Sequence, residues 1–267
     1  MFIETRGAPP SRDRPALVLI HGWAMHGGLF APLVDRLGAD YTLHLVDLPG
    51  HGHARDDAHT LDPVPVAAEL VARLGPAVWL GWSLGGLFAL RAALDHPGAV
   101  YGLVMVASSP CFVRAADWPH GVGSELFGEF GAALRRDFRG TLEGFLALEA
   151  LGAAHAREEL RELRQQAFAR GEPSPEALQQ GLAVLDRLDL RAELPRLAMP
   201  SLWLCGRRDR LVPAAAMPAA AALAPRARSV VIDNAGHAPF LGAADEVAGQ
   251  VSAFMQQVAA RAGAQAL

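Results

Sequence analysis

The segment that most restricts how this chain can fold is Gly81-Trp82-Ser83-Leu84-Gly85-Gly86. A short apolar run, Ala77-Val78-Trp79-Leu80, leads into it. Leu87 to Leu94 follows without a helix breaker and reads as a helix. The order is therefore strand, tight turn, helix, with a serine at the apex. Backbone at such an apex is strained, and side chains on either flank would collide with the strand or the helix. Gly81 and Gly85 remove those side chains and lift the Ser83 hydroxyl clear of the sheet. The Leu84 N–H, at the head of the new helix, is left free to meet negative charge.

The rest of the chain supplies the sheet that such a turn needs. Ala16–Ile20 is a continuous apolar run, as expected of a strand buried on both faces, and it ends in His21-Gly22-Trp23. Residues before it, with Pro9, Pro10 and Pro15, read as an edge hairpin or a loose end. Helical spacing follows over Leu29–Leu37, then a strand over Tyr41–Val46 that ends in Asp47-Leu48-Pro49-Gly50-His51-Gly52. Val64–Leu74 reads as a helix and Val100–Ala107 as another strand. Strands alternating with helices predict a parallel sheet with right-handed crossovers, and ligands in such sheets bind beyond the carboxyl ends of the strands. The loops starting at His21, Asp47 and Ser83 all leave from such ends, so they should converge on one site.

From about Pro110 to Ala192 the pattern changes to helical spacing only, over Leu126–Phe138, Thr141–Leu151, Ala154–Arg170 and Pro175–Leu188. The expected organisation is a core built from residues 1–109 and 193–267, with a helical insertion over 110–192. Ser201–Cys205 resumes the sheet and ends in Gly206-Arg207-Arg208-Asp209; Ser229–Ile232 is the last strand, followed by Asp233-Asn234-Ala235-Gly236-His237. Ala244–Ala260 closes the chain as a helix.

Serine is a poor nucleophile at neutral pH and needs a base within hydrogen-bond reach, which in turn needs a carboxylate to hold its tautomer. Asp209 and His237 each follow a late strand on the same edge as Ser83, and the order Ser, Asp, His suits this arrangement. The catalytic set is therefore expected to be Ser83, Asp209 and His237. The oxyanion donors are expected to be the backbone N–H groups of Trp23 and Leu84, with Gly22 allowing close approach of the chain. Serine in place of aspartate at the turn points to an acyl-enzyme, hence cleavage of an ester, thioester, amide or activated C–C bond.

Bulk properties narrow the partners. The 267 residues carry a net charge of −4, with arginine and no lysine, so nothing draws the chain to nucleic acid or an anionic membrane. No apolar segment approaches membrane-spanning length; Ala214–Ala224 is alanine-rich but holds Pro218. The first residues lack the apolar core of a signal peptide. Cys111 and Cys205 are far apart beside apolar runs and read as buried free thiols. His26, His44, His51, His53 and His96 show no metal-ligand spacing. A soluble, cytoplasmic, monomeric protein without metal or cofactor is expected.

These residues carry a resemblance. Over nearly its full length the chain resembles the α/β-hydrolases. Within them it is similar to the BioH family of pimeloyl-[acyl-carrier protein] methyl ester esterases. The shared segments are Leu43–Gly52, Trp79–Leu87, Val106–Phe112, Asp117–Pro119, Phe145–Gly152 and Gly236–Phe240. The resemblance implies an α/β-hydrolase fold: a mostly parallel twisted sheet, helices on both faces and an inserted helical lid. It implies hydrolysis of the methyl ester of a pimeloyl group on acyl-carrier protein, in biotin synthesis. It implies a substrate site formed by Trp23, Ser83, Leu84, Phe145, Leu146, Ala147, Leu148, Glu149 and His237. Glu149 departs from the family pattern, which has Gln there. Carrier docking is implied for Arg139, Arg157 and Arg161, while Gly140 and Gly144 occupy two further arginine positions of the family. Read without the resemblance, Arg157 and Arg161 sit among Glu158, Glu159 and Glu162 and suit a salt-bridged solvated face. The same scaffold also suits a general short-chain carboxylesterase, a C–C bond hydrolase or a non-catalytic ligand-binding protein.

Overall fold

The computed structural model describes residues 1–11 and 14–265. The apolar runs form seven strands: β1 (Phe2–Gly7), β2 (Ala16–Ile20), β3 (Thr42–Asp47), β4 (Ala77–Trp82), β5 (Val100–Val106), β6 (Ser201–Gly206) and β7 (Ala227–Ile232). The helices are α1 (Ala31–Leu37), α2 (Pro63–Leu74), α3 (Leu84–Asp95), α4 (Glu125–Arg136), α5 (Phe138–Ala150), α6 (Ala156–Ala169), α7 (Pro175–Arg187), α8 (Ala216–Ala221), α9 (Pro239–Gly242) and α10 (Ala244–Gln265).

The strands join one sheet in the order β1-β3-β2-β4-β5-β6-β7. All neighbours are parallel except β1, which runs antiparallel to β3. The N-terminal residues are thus an edge strand laid on β3, with Phe2 opposite Asp47, and not a hairpin of their own. β2 and β4 are neighbours although β3 lies between them in sequence. The connections therefore depart in opposite directions from this pair, and the crevice at such a switch point is where open parallel sheets bind ligands.

Alternate side chains of the central strands enter two cores. Val18, Ile20, Trp79, Leu103, Met105 and Trp203 pack with residues of α2, α3 and α8. Leu17, Leu19, Val78, Leu80, Val104 and Leu202 pack with residues of α1 and α10 on the other face. Both faces are dry because every one of these strand residues is fully buried, which is why the strands read as unbroken apolar runs.

Helices α4–α7 occupy the connection between β5 and β6. The chain leaves and returns at one place: the Leu190 N–H donates to the Pro110 carbonyl (2.9 Å), and Cys111 bridges to Asp189. Cys111 and Cys205 are free and buried. No helix among the described residues is long and apolar enough to cross a membrane.

Candidate active site

Ser83 stands between β4 and α3 at φ 52°, ψ −122°, a region that costs a non-glycine residue about 1–3 kcal/mol. The surroundings hold it there. The Ser83 N–H donates to the Val106 carbonyl (3.0 Å), and its own carbonyl accepts from the Ser108 hydroxyl (2.7 Å) and the Gly86 N–H (3.0 Å). The flanking glycines are required by contact. A Cβ at Gly81 would lie 2.4 Å from the Gly86 Cα, and one at Gly85 would lie 2.3 Å from the Ile20 carbonyl oxygen.

The loops after β6 and β7 bring the other two groups to it. His237 Nε2 lies 2.9 Å from Ser83 Oγ, and His237 Nδ1 lies 2.8 Å from Asp209 Oδ2. The other carboxylate oxygen, Asp209 Oδ1, accepts from the N–H groups of Leu211 (2.8 Å) and Val212 (2.9 Å). Three donors thus fix the carboxylate, which places the imidazole proton on Nδ1 and leaves Nε2 to accept the serine proton. The Trp82 indole N–H donates to the His237 carbonyl (2.8 Å), so the residue before the serine also fastens the histidine loop. Among the described residues there is no group of three or more His, Cys, Asp or Glu side chains that could hold a metal ion.

Trp23 and Leu84 meet at the β2–β4 switch point beneath the helical insertion. The Trp23 and Leu84 backbone N–H groups make no hydrogen bond to protein among the described residues. Over them lies Gly181 of α7, where a Cβ would sit 2.8 Å from Trp23 Cδ1 and 3.2 Å from Leu84 Cδ2. The Trp23 indole N–H donates to the Leu178 carbonyl of α7 (2.9 Å), and its ring meets Phe145 of α5 edge-on at 4.7 Å.

The stretch 145–149 does not act as one surface. On a helix, five consecutive residues encircle the axis. Phe145 reaches Trp23, Leu146 is buried in the core, and Ala147 is exposed. Glu149 is fully buried beside Asp209; dehydration, then the neighbouring charge, pushes its carboxyl well above the usual range.

Of the arginines, Arg139 is paired with Glu172 (2.7 Å). Arg157 and Arg161 are exposed, and neither makes an ion pair among the described residues. Of the nearby acids, Glu159 is buried, Glu162 accepts from Gln166 (3.0 Å), and Glu158 is exposed with no ion pair among the described residues. The salt-bridged face does not form.

A contact with no local sequence signal fastens the far end of the insertion. The Arg170 guanidinium lies 3.1 Å from Asp47 Oδ2 and 2.6 Å from Glu4 Oε2, joining α6 to β3 and β1. Asp47 is fully buried and also accepts from the N–H groups of Gly27 (2.7 Å) and His53 (2.8 Å). Burial alone would raise its carboxyl, but these donors and Arg170 among its neighbours hold it below the usual range. Next to this pair, His26 Nε2–H donates to the Gln166 carbonyl (2.6 Å), and the Ser174 N–H donates to the Gly50 carbonyl (2.7 Å).

Comparison with known proteins agrees with this architecture. Residues 15–244 match the alpha/beta hydrolase fold family, and the chain belongs to that family. More narrowly, it groups with proteins named pimeloyl-[acyl-carrier protein] methyl ester esterase. The one from Xanthomonas oryzae pv. oryzae (strain MAFF 311018) is 63% identical over 244 residues, spanning 91% of this chain and 96% of that protein. The one from Stenotrophomonas maltophilia (strain K279a) is 57% identical over 265 residues, 99% of this chain and 100% of that protein. Among solved structures, an esterase from Exiguobacterium antarcticum superposes with a TM-score of 0.83 at 21% identity, covering 96% of this chain and 95% of that one. An enol-lactonase from Burkholderia xenovorans LB400 does so with 0.83 at 19% identity, covering 95% of each. At that identity these two speak for the fold alone.

Proposed function

We propose that the protein is a serine carboxylesterase that hydrolyses the methyl ester of pimeloyl-[acyl-carrier protein], giving pimeloyl-[acyl-carrier protein] and methanol for biotin synthesis. The observation that carries the reaction type is the continuous hydrogen-bonded chain from Ser83 Oγ through His237 to Asp209. The substrate rests on the likeness to esterases named for it.

In this reading Ser83 Oγ attacks the ester carbonyl while His237 Nε2 takes the hydroxyl proton. The charge that appears on the carbonyl oxygen is met by the Trp23 and Leu84 N–H groups, each such donor being worth about 3 kcal/mol. Asp209 stays ionised and stabilises the imidazolium. The C–O bond to methoxide breaks as His237 returns the proton, so methanol leaves and an acyl-serine remains. Water, deprotonated by the same histidine, then attacks the acyl-serine; the Ser83 oxygen departs with a proton and the free carboxylic acid is released.

The acyl chain would lie between the core and α5–α7, along Trp23 and Phe145. The carrier would dock on α6, where the exposed and unpaired Arg157 and Arg161 suit an acidic partner. A general short-chain esterase is the second reading, and Glu149 and the glycines at 140 and 144, where the resemblance has Gln and arginines, are what favour it.

The two readings part in kinetics. The carrier-borne methyl ester should exceed a simple short-chain ester by about 100-fold in kcat/KM, because remote binding contributes to the transition state. Charge reversal of Arg157 and Arg161 together should raise KM for the carrier-borne ester by about tenfold and leave the short ester unchanged. Equal kcat/KM for the two esters would make the protein a general esterase.

A further inference from the structure

The end of α5 is seated on both loops that bear the histidine and the aspartate. A Cβ at Gly152 would lie 2.7 Å from the Arg208 carbonyl oxygen, next to Asp209. A Cβ at Gly236, next to His237, would lie 3.2 Å from the Ala153 Cβ and 3.5 Å from the Glu149 carbonyl oxygen. The Ala154 N–H donates to the Asn234 carbonyl (3.2 Å). At this junction the Glu149 side chain is 1% exposed, and neither carboxyl oxygen has a hydrogen-bond partner. A charged carboxylate in such a place would be unpaired, dry and beside a second carboxylate, an arrangement that costs several kcal/mol.

We propose that Glu149 is a positioning residue that seats α5 on the Asp209 and His237 loops only while it is uncharged, so that its ionisation unseats the insertion and closes the alkaline limb of activity. The effect on turnover rests on reading Ser83, His237 and Asp209 as the catalytic set; the effect on stability does not.

The charges around Glu149 leave it without a counter-ion. From the β6–α8 loop, Asp209 faces it, while Arg208 and Arg210 border Gly152; Arg208 is hydrogen-bonded to Asn234 (3.2 Å). From the β7–α9 loop comes His237, engaged by Asp209 and Ser83. From α6 come Glu159, itself buried, and Arg164, paired with Glu143 (2.6 Å); His155 at the head of α6 is exposed. None of these cations pairs with Glu149 among the described residues. Burial first, then the charge of Asp209, raises its carboxyl well above the ordinary value of 4.5.

The direction of the linkage follows. A carboxyl whose folded value lies above its unfolded value leaves stability whole below pH 4.5, and stability is lost as pH climbs toward the folded value. Glu149→Gln removes the titration and keeps the shape. Relative to wild type, its Tm should be unchanged at pH 4.5 and higher by roughly 5 °C at pH 8. Glu159→Gln is the contrast. Burial, with Glu158 next, raises Glu159 to about 7, on the same helix layer but against Gly242 and away from the two loops.

The experiment measures full-length wild type, Glu149→Gln and Glu159→Gln, with Glu149→Met as an equally long uncharged substitute should the glutamine variant not fold. Tm is followed from pH 4.5 to 9, and kcat/KM on a short soluble ester is compared at pH 9.5 and pH 7 within each protein. For wild type and Glu159→Gln the ratio should fall about fivefold or more, and for Glu149→Gln it should stay within about twofold. A Tm difference at position 149 that does not change with pH overturns the uncharged state. A shared alkaline decline in wild type and Glu149→Gln overturns the control of turnover. Fluorophosphonate labelling of Ser83 at pH 7 keeps the two readings apart: an unlabelled, folded wild type counts against the catalytic set, whatever the Tm curves show.

Discussion

Replacing Ser83 by alanine lowers kcat by about 10⁵-fold while leaving the protein folded. The size follows from how the three groups act. With the hydroxyl gone, His237 has no proton to take and no acyl-enzyme forms, so the imidazole and carboxylate lose their roles together. What survives is binding and the two N–H groups, which keep rates only about 10³–10⁴-fold above water. The fold should be indifferent. The Ser83 backbone bonds to Val106, Ser108 and Gly86 do not involve the hydroxyl. The lost Oγ–Nε2 bond is worth about 1 kcal/mol, so Tm should move by only a few degrees. Turnover of a soluble ester and fluorophosphonate labelling should vanish together. Residual activity within tenfold of the parent would mean that another group attacks the ester.

Much of this site was legible because its parts are local. Gly81 answers a contact within its own turn, at Gly86, while Gly85 answers the neighbouring strand at Ile20; Asp209 and His237 each sit just past a strand, so chain order and sheet topology suffice to gather them. Trp23 and Leu84 lie within three residues of the ends of β2 and β4, so the same topology brings them to this place. What stayed hidden depends on pairs distant in sequence. Nothing in Glu4, Asp47 or Arg170 alone announces that they share one ion-pair cluster, and Ser108 and Trp82 reveal their bonds to Ser83 and His237 only once β5 and β7 are placed.

Three readings changed once helix and sheet geometry were in place. Arg157 and Arg161 stand four apart, as do Glu158 and Glu162, which puts like charges on neighbouring turns; Glu158 and Arg161 have the spacing to pair but form no ion pair among the described residues. The opening residues read as an edge hairpin or a loose end because their partner, β3, begins only at Thr42. The resemblance named 145–149 as a block, whereas the helical period turns Ala147 to solvent and Glu149 onto the Asp209 loop.

Arg170→Leu should produce the largest loss of stability available outside the hydrophobic core. The substitution keeps most of the buried stem and removes the charge. Glu4 loses little, since Arg6 also pairs with it and the strand edge is open to water. Asp47 is left fully buried with two N–H donors and no counter-ion. Removing one partner of a buried pair costs about 3–5 kcal/mol, which for a domain of this size lowers Tm by roughly 10 °C. The damage should also have a location. Arg170 ends α6, and His26–Gln166 and Ser174–Gly50 are the neighbouring bonds that tie the same end of the insertion to the core. Loosening it should raise KM more than it lowers kcat and open 170–175 to limited proteolysis, because Ser83, His237 and Asp209 are held by core loops. Asp47→Asn added to Arg170→Leu removes the orphaned charge, so the double variant should regain at least half of the lost Tm. A double variant as unstable as the sum of its parts would locate the cost in packing, and the ion pair would then contribute nothing to holding the insertion down.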